Sequence, residues 1–436
     1  MERLLLSSLK QWKDSPERKP LILEGARQVG KTWLLQEFGR KCFKSVCYIN
    51  FEQSRELEAV FAGDLTPSRL IEQLSVYHGK VIKPHTTLLI LDEVQEMPRA
   101  LTSLKYFCEQ APEYAICCAG SLLGIALHEG TSFPVGKTDF LHLYPLSFQE
   151  FLLANGEEML VNYLLSGNRS LAPFEARLTG YLKNYFITGG MPAAVGEWLR
   201  HKDFSRVTTV QLQLIAAYEK DFSKHAPHQQ VEKLRYVWKS IHTQLARENK
   251  KFVYGLVREG ARAREYEDAL QWLSDAGEII RTHNVTKPSL PLSAYADLKA
   301  FKVFLLDVGL LRAMTGLSPR VILEGSRVFQ EFKGALTEQF VCQELQTLSA
   351  EWQTRYYWVS ETKAEVDFLL SDGLDVYPLE CKVGVTMNAK SLKLYREKFN
   401  PRLTLRTSLL PYERNEEART LNLPLYMLFT LEKELQ

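Results

Sequence analysis

No apolar run in this chain approaches the ~18 residues that a membrane span needs, and its first residues lack the pattern of a secretory signal. Met1 to Lys13 read instead as a short amphipathic helix. The seven cysteines contain no C-x-x-C pair. Cys42, Cys47, Cys108, Cys117, Cys118, Cys342 and Cys381 fall mostly in apolar strands or helices, which suits reduced core thiols of a cytoplasmic protein. The nine histidines are scattered without metal-ligand spacing. An excess of one charge is also missing: 54 basic residues face 52 acidic ones, and a net +2 is too small to identify a partner. Internal repeats and low-complexity tracts are absent. What is present is a globular composition, 45% apolar and 24% charged, over 436 residues. That length implies two or three domains.

The strongest positive signal is Leu21-Ile-Leu-Glu-Gly-Ala-Arg-Gln-Val-Gly-Lys-Thr32. An apolar run ends at Gly25, four residues follow, then Gly30-Lys31-Thr32 and a helix-like stretch from Trp33 to Phe38. This is the strand–loop–helix setting in which G-x-x-x-x-G-K-[ST] means phosphate binding. Gly25 and Gly30 let the backbone wrap close to an anion, and successive N–H groups with the helix N-terminus point at it. Gly25, Ala26, Arg27, Gln28, Val29, Gly30, Lys31, Thr32 and Trp33 are therefore the candidate nucleotide contacts. Lys31 would reach the β- and γ-phosphates of ATP, and Thr32 would hold Mg²⁺.

Thr87-Leu-Leu-Ile-Leu-Asp-Glu93 is an apolar strand ending in two carboxylates. Alone it would read as a solvated strand end. About 60 residues beyond a phosphate loop, Asp92 reads as the second Mg²⁺ contact and Glu93 as the general base that polarises an attacking water. A third buried strand, Tyr114 to Gly120, ends in Ser121, which reads either as a group sensing the γ-phosphate or as a simple turn serine. Apolar strands near 20–24, 45–51, 87–92, 114–120 and 138–144 alternate with helical patterns at 31–39, 66–78 and 98–110. Alternation of this kind predicts a parallel sheet with crossover helices and a ligand at the strands' carboxyl ends. Gly136-Lys137-Thr138 imitates a phosphate loop, but five residues separate it from Gly130 and no apolar strand precedes it.

From Leu146 to about 230 the pattern is helical, broken by the turn Ile187-Thr-Gly-Gly-Met-Pro192. A helix from Val231 to Arg247, a short segment, a helix from Arg264 to Ala276 and strands at Glu278–Val285 and Lys302–Asp307 have the order of a winged helix. Lys233, Arg235, Lys239, Arg247, Lys250, Lys251, Arg258, Arg262 and Arg264 make this stretch locally basic, which suits a phosphate backbone or a solvated helical face.

Beyond about residue 325, Glu338 lies in a helix (Phe329 to Leu348), Asp367 in the alternating strand Glu365 to Leu370, and Glu380 with Lys382 in the strand Tyr377 to Val383. Residues two apart in a strand share a face, so Glu380 and Lys382 converge. Asp367 and Glu338 can join them. Three carboxylates and a lysine would hold a hard cation, with Asp367 and Glu380 as its direct ligands. The cation would activate water against a phosphodiester, with Lys382 stabilising developing charge.

The chain resembles prokaryotic AAA-type ATPases of the archaeal ATPase-like P-loop branch that carry a C-terminal domain of unknown function. The resemblance covers nearly the whole chain. Its carriers are Gly25–Thr32, Leu91-Asp-Glu-Val-Gln95, Leu143-Tyr-Pro-Leu-Ser-Phe-Gln-Glu-Phe-Leu152, Gly189-Gly-Met-Pro192, Phe301 to Leu310, and Glu365-Val-Asp-Phe with Leu379-Glu-Cys-Lys. The C-terminal part is similar to the PD-(D/E)XK nuclease fold, nearest the Holliday-junction-resolvase type in its order of acids. The resemblance implies ATP binding at residues 25–32 and 92–93, and nuclease-type roles for Glu338, Asp367, Glu380 and Lys382. The resemblance implies Gly-Arg, as in many members of the family, where this chain has Gly136-Lys137, and lysine lacks the bidentate fork of an arginine finger. The expected architecture is α/β: a P-loop parallel-sheet domain (1–150), a helical lid or linker (151–230), a winged-helix-like domain (231–320) and a PD-(D/E)XK-like α/β domain (321–436). ATP, Mg²⁺, DNA and a second copy of the chain are the expected partners, with no membrane.

Overall fold

A computed structural model describes residues 1–120, 134–247, 250–325, 327–348 (side chains from 333 on), 356–362, 364–382 and 390–435. The chain divides into two units. Glu2–Tyr144 with Asp275–Gly277 form one, and Pro145–Ser274 with Glu278–Gln436 and Met1 form the other.

In the first unit, Leu21–Glu24 (β1), Ser45–Asn50 (β2), Thr87–Asp92 (β3), Ala115–Ala119 (β4) and Asp139–His142 (β5) form the expected parallel sheet, in the order β2-β3-β4-β1-β5. Strands β3 and β4 are buried at every residue. Helices cover both faces of such a sheet, so its central strands read as unbroken apolar runs. Helices Lys31–Cys42, Pro67–His78 and Pro98–Gln110 lie between the strands in sequence. Ile22, Leu89, Leu91, Ile116 and Cys118 from the sheet pack with Leu70, Leu74, Leu104 and Phe107 from the helices. The strands' common direction brings the carboxyl ends of β1 and β3, with their phosphate-loop and acid motifs, to one edge.

The second unit begins with helices. Ser147 and Glu150 form a capping box at the start of helix Phe148–Ala154. The Gly189-Gly190 turn joins helices Glu175–Thr188 and Pro192–His201. Helices His228–Leu245 and Ala263–Asp275 precede strands Ile279–Val285 (β6) and Ala296–Leu305 (β7), which pair antiparallel. The second of these begins at Ala296 instead of Lys302, and β6 also pairs with Tyr356–Val359 (β8). With Glu365–Val366 (β9) they form a sheet in the order β7-β6-β8-β9, so the hairpin is part of a larger sheet and not a free-standing wing.

The last sheet contains Phe368–Ser371 (β10), Val376–Cys381 (β11), Thr404–Ser408 (β12), Glu413–Asn415 (β13) and Thr420–Pro424 (β14), in the order β10-β11-β12-β14-β13. Helix Lys390–Phe399 connects the parallel strands β11 and β12, and helix Arg327–Leu345 packs on β11. Asp367, expected within one strand, occupies a bend where the chain leaves one sheet for the other. Apolar alternation runs through the bend because Val366, Phe368 and Leu370 are all buried. Among the described residues no helix is long and apolar enough to cross a membrane.

Candidate functional site

The phosphate loop leaves β1 at Gly25, whose φ is +137° and where an added Cβ would fall on the Leu143 carbonyl oxygen. Only glycine fits both constraints. Gln28 and Gly30 are also left-handed, and Gly30 caps helix Lys31–Cys42. Lys31 is 8% exposed, and its ammonium donates to the carbonyls of Gly25 (2.7 Å) and Ala26 (2.8 Å). Burial pushes its pKa down to about 8; Glu93 and Asp92 pull the other way, and Arg27 adds to the depression. The loop thus holds its lysine on two of its own carbonyls. It can exchange those two bonds for charge-assisted bonds to phosphate oxygens.

Thr32 Oγ1 donates to Asp92 Oδ2 at 2.7 Å, so helix and strand motifs 60 residues apart in sequence meet. The Tyr48 hydroxyl donates to the same oxygen at 2.8 Å, and the Glu93 N–H donates to Oδ1 at 3.1 Å. Burial raises the Tyr48 phenol to about 12, with Asn50 opposing and Asp92 adding, so it stays a donor. Glu93 is left-handed (φ 50°), an uncommon conformation for a residue with a Cβ, and its Oε2 accepts from Gln95 Nε2 at 2.6 Å. Two oxygen groups in bonding distance beside a buried lysine fit a hard divalent cation and a nucleotide phosphate. Trp33 is 45% exposed at the start of the helix. Ser121 lies outside the described residues. Lys137 pairs with Glu109 at 3.0 Å on the surface.

Tyr48 and Gln95 were not legible as site residues. The available signal was positional. Tyr48 and Asn50 are polar residues two apart at the carboxyl end of β2, and Asn50 is in register with Asp92.

In the second unit the structure brings Glu338 and Asp367 together, with Glu365 as the third acid. One carboxylate oxygen from each lies within 4.8 Å of the others. Glu380 makes a different pair: its Oε1 lies 2.5 Å from Lys382 Nζ, and its buried Oε2 has no hydrogen-bond partner among the described residues. The Cys381 N–H donates to Asp367 Oδ2 at 2.7 Å.

The three acids share a cation from β7. The Lys302 ammonium is fully buried, in contact with Glu365, 3.3 Å from Glu338 and 3.9 Å from Asp367, and 4.9 Å from the centre of the Tyr357 ring. Lys250, expected on a phosphate-binding surface, turns inward onto Glu338. Burial alone lowers the Lys302 pKa, but Glu338, Glu365 and Asp367 reverse this and hold it well above the ordinary lysine value. Burial, then Glu338, raises Asp367. Burial also pushes Glu338 up, but Lys302 and Lys250 win and lower it. The donors suit a divalent cation by element type, but the place among them is taken. Each unit of positive charge brought to ~4 Å from Lys302 costs about 4 kcal/mol at an effective dielectric of ~20, and a divalent ion twice that. These residues, as arranged, do not fit a metal.

Residues 17–152 match the family model described as an AAA domain. Residues 179–321 and 333–426 match two domains of unknown function, DUF8612 and DUF4143. No curated protein matches. Similar solved structures include a Walker-type ATPase of Pyrococcus abyssi, 16% identical over 72% of this chain and 95% of that one, with a TM-score of 0.44. The Aeropyrum pernix ORC1 protein in complex with DNA is 12% identical over 73% and 92%, with a TM-score of 0.28. AMPPCP-bound DnaA from Aquifex aeolicus is 15% identical over 63% and 88%, with a TM-score of 0.25. Likeness at this level leaves the functional argument to the residues. For the first unit, the AAA-domain match and the phosphate-loop geometry agree on an ATPase-type domain.

Proposed function

We propose that this chain is a Mg²⁺-dependent ATP-binding and ATP-hydrolysing protein that acts on or with DNA. The observation that carries the reading is the meeting of Thr32 and Asp92 at 2.7 Å beside the buried Lys31. Thr32 and Asp92 would hold Mg²⁺, which, when bound with ATP, neutralises phosphate charge. Lys31 would leave the Gly25 and Ala26 carbonyls for the β- and γ-phosphates, while the N–H groups at the start of helix Lys31–Cys42 face the anion. Glu93 would take the proton of the attacking water. Its present hold on Gln95 must loosen for that role. DNA is proposed from the exposed Arg235, Lys239, Arg258, Arg262 and Arg264, which lie on or between the two helices of the winged-helix-like segment. A cytoplasmic setting and a neighbouring copy of the chain belong to the same reading.

The order helix, β10–β11 hairpin, helix, β12 supports a nuclease-like C-terminal domain. The lysine among its acids favours a domain that holds DNA or a protein partner without cutting. ATPase rates with and without DNA test the proposal. Wild-type protein should hydrolyse ATP with Mg²⁺. Lys31→Ala should lose nucleotide binding, and Glu93→Gln should bind but not turn over, since an amide cannot accept the proton. DNA stimulation of ten-fold corresponds to about 1.4 kcal/mol of barrier. A Glu93→Gln variant with the parent rate removes Glu93 from the chemistry, and rates indifferent to every form of DNA remove DNA from the proposal.

A further inference from the structure

We propose that Lys302 is the resident cation of the C-terminal acidic constellation and that no divalent metal binds there in the native protein. The inference deepens the reading of this domain as a binding module and is independent of the ATP site.

The argument begins with position. Lys302 lies on β7, outside the segment that supplies the acids: Glu338 comes from helix Arg327–Leu345, Glu365 from β9, and Asp367 from the bend before β10. A lysine on the solvent side of a strand would extend its ammonium into water. This one has no exposed surface and ends among three carboxylates. The face of Tyr357 adds a further wall that favours a cation. A buried ammonium needs compensating charge and acceptors, and Glu338, Glu365 and Asp367 supply both.

Charge gives the same answer. Three carboxylates meet two ammoniums, because Lys250 also bonds Glu338. A divalent cation added to this set would leave a net positive charge in a buried site. The third acid expected from strand alternation, Glu380, is engaged by its own lysine, Lys382. The arrangement works as an ionic lock. It ties β7 to the helix and to the chain crossing between the two sheets, where a metal enzyme would need open oxygen ligands.

The lock predicts a gain of metal binding on removal of Lys302. Nucleotide-free protein in a Lys31→Ala background should be titrated with Mn²⁺ by electron paramagnetic resonance, with melting followed in parallel. The parent should take up no Mn²⁺ that Asp367→Asn abolishes, and its melting temperature should not rise with Mn²⁺. Lys302→Met should melt several degrees lower and then recover on adding Mn²⁺, with about one ion bound. Adding Asp367→Asn should remove that recovery. Should Lys302→Met fail to fold, the parent titration still decides. One Mn²⁺ bound by the parent and lost with Asp367→Asn would overturn the proposal, as would a Lys302→Met protein with unchanged melting. Because nucleotide is absent, neither result bears on the ATPase reading.

Discussion

Tyr48 donates to the same Asp92 oxygen as Thr32, and the two bonds do different work. Thr32 belongs to the phosphate loop and would turn to a metal when one arrives. Tyr48 stands on a neighbouring strand and can keep its bond, fixing the carboxylate while Thr32 moves. Its phenol is held up to about 12, so it remains a donor across the working pH range. A hydrogen bond to a charged group contributes about 1.5–3 kcal/mol. Tyr48→Phe should therefore shift the Mg²⁺ concentration needed for half-maximal ATPase upward by roughly ten-fold, about 1.4 kcal/mol. Binding of ATP without Mg²⁺ should not change. An unaltered Mg²⁺ dependence would mean that Tyr48 only fills space beside Asp92.

At the scale of elements, the Gly189-Gly190 turn shows what the second unit builds with motifs outside the ATP site. Asp307 caps helix Val308–Met314 through Leu310 N–H (2.9 Å) and accepts the Gly190 N–H at 2.6 Å. The Gly190 carbonyl accepts from Leu146 N–H at 2.7 Å. Gly189 is left-handed (φ 67°), and an added Cβ would strike the Asp307 carboxylate. Three sequence motifs thus close on one another, and the turn has no room for a methyl group. Gly189→Ala should cost about 3 kcal/mol or more, from backbone strain plus collision. Gly180→Ala, in helix Glu175–Thr188 where a Cβ meets nothing, should be neutral or stabilise by about 0.4–1 kcal/mol. Urea midpoints of the two variants check the contrast, and equal midpoints would refute it.

The same scale explains what could be read from the sequence. The parallel sheet was legible because β3 and β4 are buried throughout and β3 ends in Asp92, a pattern local to each strand. Glu338 and Asp367 were legible from the order of their elements. Lys302 and Glu365 were not, because their meeting depends on β6 pairing with β8, more than 70 residues later. Local periodicity carries no record of which distant strand becomes the neighbour. Alternation correctly put Glu380 and Lys382 on one face, but it could not show that they would bond each other.

For the molecule as a whole, a net charge of +2 leaves little general repulsion to drive a pH response near neutrality. The response should instead come from buried carboxyls. Burial raises Asp307 to about 6, against the N–H groups of Gly190 and Leu310 that favour its ionised form. Burial raises Glu344 further, to about 8; the Phe148 N–H opposes and Glu150 adds to the rise. In the unfolded chain both groups titrate near their ordinary values, about 4. Below that pH both states are protonated and neither carboxyl makes stability depend on pH. As pH rises the unfolded chain loses these protons first, so stability falls. The fall from Asp307 ends near pH 6 and that from Glu344 near pH 8. Glu344→Gln should keep the bond from Phe148 N–H and remove the ionisation. The variant should match the parent near pH 4 and exceed it by a few kcal/mol above pH 8. Urea denaturation from pH 5 to 9 gives the difference directly. A difference that stays constant across that range would show that the Glu344 carboxyl ionises alike in the folded and unfolded chain.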